Sequence, residues 1–391
     1  MSDTLFTLNS KLNFNPIYNN IYISCKKIKK ESIIEKIKYI TKIHKVEGLS
    51  DSEKEALQEV SKKYKFRSND YYLSLIDWND PNDPIRNIII PKEDELLDTR
   101  YTELDASAEH LYTVAKGLEH KYKDTALILY NDVCGGYCRF CFRKRLFIDD
   151  NDDVVNDLTE ALKYIKEHKE IQNVLITGGD PLVAPGSKLI KLLDELAKIE
   201  HLDFIRIGTK MLAFNPRVFL NDTLLEGLER INKIKKIKIM GHFNHPNEIT
   251  STTKEVVDKL KSLGLNIYNQ TPLIKNVNDS SETIAKLLKE LNKLNIIPYY
   301  FFQMRPTAGN FSYAVPIKKG IEIINEAYAS LPGLVKTARY VMSHKTGKIE
   351  IVGSYEDKVI LKYHRAAKEE DANRILMFEN KEDAYWLEDY L

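Results

Sequence analysis

The sequence predicts an α/β protein: an open (β/α)6 partial TIM barrel with an N-terminal helical extension and a C-terminal extension. Three observations carry this. From residue 126 onward, six short apolar runs alternate with amphipathic stretches, which calls for parallel pairing through right-handed crossovers. Six such units are too few to close an eight-stranded barrel. Polar segments follow each apolar run, at the strand ends where a barrel presents its reactive groups. The expected division is 1–120 for the N-terminal extension, 121–305 for the barrel, and 306–391 for an extension that covers the mouth or mediates subunit contacts.

Taken in order, residues 1–25 lack periodicity and read as an extended arm. Ile33, Ile34, Ile37 and Ile40 recur at helical spacing, predicting a helix over 31–45. Ser50 and Glu53 form a capping box for a helix reaching Lys63. The prolines of Pro81 to Arg86 punctuate an irregular connection. The six strands are expected at 126–130, 174–177, 204–209, 237–243, 266–272 and 296–303. Helices are expected near 153–168, 186–198, 222–233, 253–263 and 281–293. The fourth of these has Thr252 and Glu255 as capping box and Gly264 as stop. The fifth gathers Ile284, Leu287, Leu288 and Leu291 on one face.

Three of the four cysteines, Cys134, Cys138 and Cys141, fall within eight residues at C-x3-C-x2-C spacing. Zinc and ferredoxin patterns need a fourth ligand, which is absent at motif spacing. Three thiolates on a [4Fe-4S] cube leave one iron open to chelate the amino and carboxylate groups of S-adenosylmethionine. An electron from the cluster then releases a 5′-deoxyadenosyl radical that abstracts hydrogen from unactivated carbon. Gly135 and Gly136 suit a loop wrapping a cluster, since glycine tolerates positive φ. The competing reading is three core cysteines, or half of a zinc site completed from afar. Cys25 stands alone and reads as a simple core or surface thiol.

With 391 residues, 43% of them hydrophobic, the chain has ample material for a large core. Its 58 basic and 57 acidic residues give a net charge of +1, which argues against a nucleic-acid partner. No run approaches the length of a membrane span, and no signal-peptide pattern opens the chain. Clustered cysteines point to a reducing cytoplasm.

The strand ends differ in weight. Thr177, Gly178, Gly179 and Asp180 end strand two; the glycines let backbone approach a ligand and Asp180 can accept from an ammonium. Strand three carries Arg206, Ile207, Gly208 and Thr209. His242 and His245 lack a carboxylate at zincin spacing, so they read as a structured loop rather than a metal site. Gln270 can hold a carboxylate or satisfy a buried loop. Arg143, Lys144 and Arg145 follow the cluster loop directly, and anion binding is the expectation for at least Arg143.

Together these residues resemble the lysine 2,3-aminomutase family of radical S-adenosylmethionine enzymes. The resemblance runs from about Leu49 to about Lys348. It rests on Tyr71 to Asp77 with Pro81 to Arg86, His120 to Asp124, Cys134 to Arg145, Thr177 to Leu182 and Arg206 to Thr209. It continues through His242 to Thr250, Asn269 to Thr271, Pro298 to Gln303 and Val315 to Ile324. It implies cluster ligands at Cys134, Cys138 and Cys141, and S-adenosylmethionine contacts at Thr177, Asp180, His242 and Gln270. It also implies a grip on the substrate carboxylate by Arg143.

Two departures stand out. The family holds pyridoxal phosphate on a lysine after a glycine run. Here Ser343, His344, Lys345, Thr346 and Gly347 precede Lys348, with one glycine left. The family's Arg-Tyr-Pro-Asp-Arg reads Lys121, Tyr122, Lys123, Asp124 and Thr125, so the second arginine, expected on the phosphate, is gone. Lys121, Tyr122, Gln303 and Lys348 are the residues that could still hold the cofactor, and the expectation is that it is absent or weakly bound. The acidic residues that face a lysine side chain are also gone: Arg305 and Ser343 stand in their places. Arg305 would repel a lysine ammonium, so the expected substrate is amino-acid-like, other than free lysine, with one anionic end at Arg143 and another at Arg305.

The expected activity is hydrogen abstraction from that substrate, with amino migration if pyridoxal phosphate binds. The alternatives are a different rearrangement, elimination or epimerisation without that cofactor, and a non-catalytic iron-sulfur protein. An electron donor such as flavodoxin or ferredoxin is expected as a partner, and the amphipathic 354–391 region is compatible with a homo-oligomer.

Overall fold

A computed structural model describes residues 37–147, 153–154 and 157–391. The expected arm and Cys25 lie outside the described residues. At the start of the described chain, β1 (Tyr39–Ile40) pairs antiparallel with β2 (Ser68–Asn69). Everything else is built on one twelve-stranded sheet. Its strands are β3 (Thr113–Ala115), β4 (Leu118–Tyr122), β5 (Thr125–Asn131), β6 (Asn173–Gly178), β7 (Phe204–Gly208) and β8 (Lys236–Gly241). They continue with β9 (Asn266–Pro272), β10 (Ile297–Phe302), β11 (Arg339–His344), β12 (Gly347–Tyr355), β13 (Lys358–Ala366) and β14 (Ile375–Glu379).

From β5 to β11 every neighbour pairs in parallel; antiparallel strands extend both ends. The six expected strands are present, and β11 adds a seventh parallel one. The ends of the sheet, β3 and β14, do not pair with each other, so the sheet is open.

The crossovers are α2 (Thr159–Glu167), α3 (Gly186–Ala197), α4 (Asp222–Ile234), α5 (Ser251–Ser262), α6 (Ser281–Lys293) and α7 (Ile317–Ala329), with α1 (Asp51–Lys63) preceding the sheet. Side chains alternate along each strand. One set, including Ile128, Val174, Ile176, Ile205, Ile207 and Ile239, is fully buried beneath the helices, each contributing roughly 1.5–3 kcal/mol by area removed from water. The other set faces the interior of the sheet's curve and carries the polar residues described below. Among the described residues no helix is long and apolar enough to cross a membrane.

Three local expectations need correction. The part of 31–45 that is described is not α-helical: Tyr39–Ile40 is extended and Ile43–Lys45 is a single 3-10 turn. The Asp70 carboxylate takes the Lys38 amide and the Arg67 guanidinium stacks 4.2 Å over Tyr39, so a tertiary partner overrides the periodicity. Helix α2 starts at Thr159 rather than near 153, where Asp157 receives the Thr159 amide and hydroxyl. Helix α5 is capped by Thr250, not Thr252: the Thr250 hydroxyl accepts the Thr253 amide at 3.1 Å. The capping box at Ser50 and Glu53 forms as read. Residues 354–391 complete β12, β13 and β14, and Trp386, Leu387 and Tyr390 enter the core.

Candidate active site

A cavity of about 340 Å³ opens at the C-terminal ends of the parallel strands. Its wall includes Cys134, Cys138, Cys141, Thr177, Gly178, Gly179, Asp180, His242 and Gln270. It also includes Arg143, Arg305, Ser343, Lys121, Tyr122, Gln303 and Lys348. Every site residue read from the sequence therefore meets in one chamber.

The cysteine loop follows β5 and is held from outside by buried polar groups. Arg139 donates through Nε and Nη2 to Glu95 and through its terminal nitrogens to the Lys65 and Tyr64 carbonyls. Arg67 donates to the Cys134 carbonyl at 2.8 Å and Asn69 to that of Gly135 at 3.2 Å. Neither Gly135 nor Gly136 has positive φ, contrary to the reason given above. Their place is set by packing instead: a Cβ on Gly135 would lie 2.5 Å from the Met211 sulfur and one on Gly136 3.0 Å from the Phe214 ring, so those side chains would have to shift to admit it. Burial pushes all three thiols up, Cys138 to about 12, so metal binding must displace their protons. Among the described residues no three His, Cys, Asp or Glu side chains are grouped to hold a single ion. A cubic cluster asks something else, since each thiolate binds a different iron, and three thiols along one cavity wall fit that demand.

Beside the loop, Gly178 has φ +113, and a Cβ there would lie 2.6 Å from the Asn131 carbonyl. The close approach that sequence assigned to a ligand is made by the chain itself: the Gly179 amide donates to that carbonyl at 2.6 Å. Asp180 is similarly occupied. Its oxygens accept from the Thr209 hydroxyl, the Lys210 amide at 2.7 Å and the Leu182 amide at 3.1 Å. Desolvation raises it to about 6 despite these bonds. Asp180 thus joins the β6 and β7 loops at the cavity edge. His242 is the open group here: its Nε2 is buried without a partner, and burial with the Lys210 ammonium nearby keeps the ring neutral. His245 lies away from the cavity wall, where its Nδ1 accepts the Asn247 amide.

The part of the wall that follows the cysteine loop is cationic. Arg143 donates to Glu109 at 2.9 Å and reaches the Thr177 hydroxyl at 3.4 Å. Arg145 meets the same carboxylate at 2.6 Å, and Arg305 approaches it to 3.8 Å while lying 3.6 Å over the Phe142 ring. These guanidiniums hold Glu109 down to about 2 against its desolvation. Arg143 and Arg305, expected at opposite ends of a substrate, therefore stand around one carboxylate. Lys144 turns away, to Glu95 and the Gly309 carbonyl. Neither Glu109 nor Glu119, which desolvation pushes up to about 8, was read from the sequence. Both lie in the 101–120 stretch, which has no motif to mark it.

Lys348 sits on β12, partly buried, 4.4 Å over the Tyr300 ring. Burial foremost, then Arg305, Arg365, Arg206 and Lys121, push its ammonium well below the ordinary lysine range. Lys121 donates to the His344 carbonyl at 2.6 Å. Gln303 is spent on the fold: its amide donates to the Val315 and Tyr385 carbonyls at 2.9 Å each, and its oxygen accepts from Tyr340. Arg365, read before only as part of an amphipathic tail, also lines the cavity. Its signal was a charge at an inward position of the alternating strand Lys358–Ala366.

The Radical SAM superfamily domain matches residues 128–288. A protein of Aquifex aeolicus named "Putative L-lysine 2,3-aminomutase" is 48% identical over 359 residues, covering 91% of this chain and 96% of its own. L-lysine 2,3-aminomutase of Clostridium subterminale is 32% identical, covering 84% of this chain and 79% of its own. Glutamate 2,3-aminomutase of Clostridioides difficile is 32% identical, covering 81% and 74%.

Proposed function

The chain belongs to the lysine 2,3-aminomutase family of radical S-adenosylmethionine enzymes, and we propose that its substrate is an amino acid other than free lysine, one bearing a second anionic group. One observation carries the reading: among the described residues, each carboxylate on the cavity wall is either paired or pushed up toward its neutral form by burial. Glu109 is shared among three guanidiniums, Glu119 is pushed up to about 8 by desolvation, and Asp180 is saturated by loop donors. Against these stand Lys121, Arg143, Arg206, Lys210, Arg305, Lys348 and Arg365. A distal ammonium would enter without an acceptor, at the cost of an unpaired buried charge. An anion meets forked donors already aimed into the cavity.

Pyridoxal phosphate belongs to the proposal, against the expectation drawn from the lost arginine and glycines. What supports it is the environment of Lys348. Burial and the surrounding cations push its ammonium well below the ordinary lysine range, toward the nucleophilic amine, and those cations favour an anionic ligand. When bound, the cluster with S-adenosylmethionine supplies the hydrogen-abstracting radical, and pyridoxal phosphate supplies the conjugated system across which an amino group moves. The chain's own part is placement. The cysteine loop holds the cluster side of the cavity, neutral His242 offers Nε2 to the adenosyl group, and Arg305, whose Nη1 is buried without a hydrogen-bond partner, takes an anionic group of the substrate beside the Arg143–Glu109 pair, so that the substrate's central carbon faces the radical. An external donor such as flavodoxin or ferredoxin provides the electron.

The test is hydrogen transfer into 5′-deoxyadenosine from deuterated glutamate, aspartate and lysine. Label is expected from a diacid. Transfer from lysine alone would overturn the reading.

A further inference from the structure

This inference deepens the pyridoxal phosphate component just proposed and rests on it. The antiparallel register of β11, β12 and β13 sets Ser343 opposite Lys348 and Lys348 opposite Arg365, so the three side chains share one face of the sheet. Arg206 lines the same cavity from β7, and its Nε is buried without a partner. Arg365 lies 4.2 Å over the Tyr122 ring. Its Nη2 donates to the Asp124 carboxylate and, at 3.1 Å, to the Thr125 hydroxyl. Among the described residues Nε and Nη1 of Arg365 take no acceptor. Asp124 and Thr125 thus fix the guanidinium by one edge and leave the other for the cavity.

Arg206, Arg365 and Lys348 gather here; among the described residues Asp124 is the one carboxylate hydrogen-bonded to any of them, and it is half-exposed. The Arg206 and Arg365 guanidiniums repel one another across the cavity, so the arrangement calls for a multivalent anion next to Lys348. A phosphate, with three acceptor oxygens, matches two forked guanidiniums. We propose that Arg365, together with Arg206, holds the phosphate of pyridoxal phosphate, so that a guanidinium from the C-terminal strands supplies the charge that Thr125 lacks.

The experiment titrates the apo-protein with pyridoxal phosphate and, in parallel, with pyridoxal, which has the aldehyde but no phosphate. Binding is followed by absorbance of the lysine-bound chromophore. Mass spectrometry after borohydride reduction identifies the modified residue. The wild type should be labelled at Lys348. R365Q should bind pyridoxal phosphate at least about tenfold more weakly, the size of one charge-assisted hydrogen bond, and should lose clearly less for pyridoxal, which feels Arg365 only through its effect on Lys348. R365K, which keeps the charge but not the fork, should fall between and guards against a folding artefact. Equal loss for both ligands would mean that Arg365 acts only through Lys348 and would overturn the inference, as would unchanged binding of the phosphorylated form. Failure of the wild type to be labelled at Lys348 would instead remove the cofactor reading itself, and this inference with it.

Discussion

Replacing Glu109 with glutamine should be among the most destabilising isosteric changes in this protein. The carboxylate falls from 4.5 to about 2 on folding, held there by Arg143, Arg145 and Arg305 although burial opposes it. A shift of that size corresponds to about 3 kcal/mol of stabilisation at neutral pH. The amide removes the charge and leaves the guanidiniums buried around a neutral group, a situation that costs about 3–5 kcal/mol in buried networks. The pH dependence has a definite sign. A folded-state value below the unfolded one contributes stability that is complete above about 4.5 and is lost as pH falls toward about 2. Urea unfolding of the apo-protein should therefore separate wild type from E109Q by about 3 kcal/mol or more at pH 7, and the gap should narrow steadily below pH 4.5. A gap under 1 kcal/mol at pH 7, or one that does not change with pH, would refute the reasoning.

Two further outcomes follow from the cysteine side of the cavity. Cys138→Ala should abolish both iron content and cleavage of S-adenosylmethionine, measured by iron assay and 5′-deoxyadenosine release after anaerobic reconstitution, whereas Cys25→Ala should keep both. Gly178→Ala forces a side chain into φ +113 and against the Asn131 carbonyl; a loss of about 1–3 kcal/mol is expected in thermal unfolding, and a variant as stable as wild type would show that the β6 loop is not held as described.

Sequence by itself determined the alternation of strands and helices, the cluster loop and the strand-end residues. These are local properties: an apolar run with period 2, a helix with period 3.6, three thiols within one loop. Each is written within a few consecutive residues, and helix α6 accordingly begins at Ser281 and ends at Lys293 as read. The residue types around the site were legible too, because Arg143, Asp180, His242 and Gln270 each follow an element that could be recognised.

Only the tertiary structure decided what those residues are free to do. Asp180 looked like a ligand group and proves to be bonded to Thr209 and Lys210 across two strand loops. Gln303 looked available and is tied to Val315, Tyr340 and Tyr385. Arg143 and Arg305 looked like separate anion grips and converge on Glu109, which no motif announces. The position where Thr125 stands in place of an arginine has a guanidinium beside it that no local motif marks: Arg365, 240 positions away, hydrogen-bonds the Thr125 hydroxyl. The reason is that charge is satisfied through space. A guanidinium and a carboxylate find each other across a few ångströms of a low-dielectric cavity, where pairing is strongest, and nothing in the local sequence records which partner will stand there.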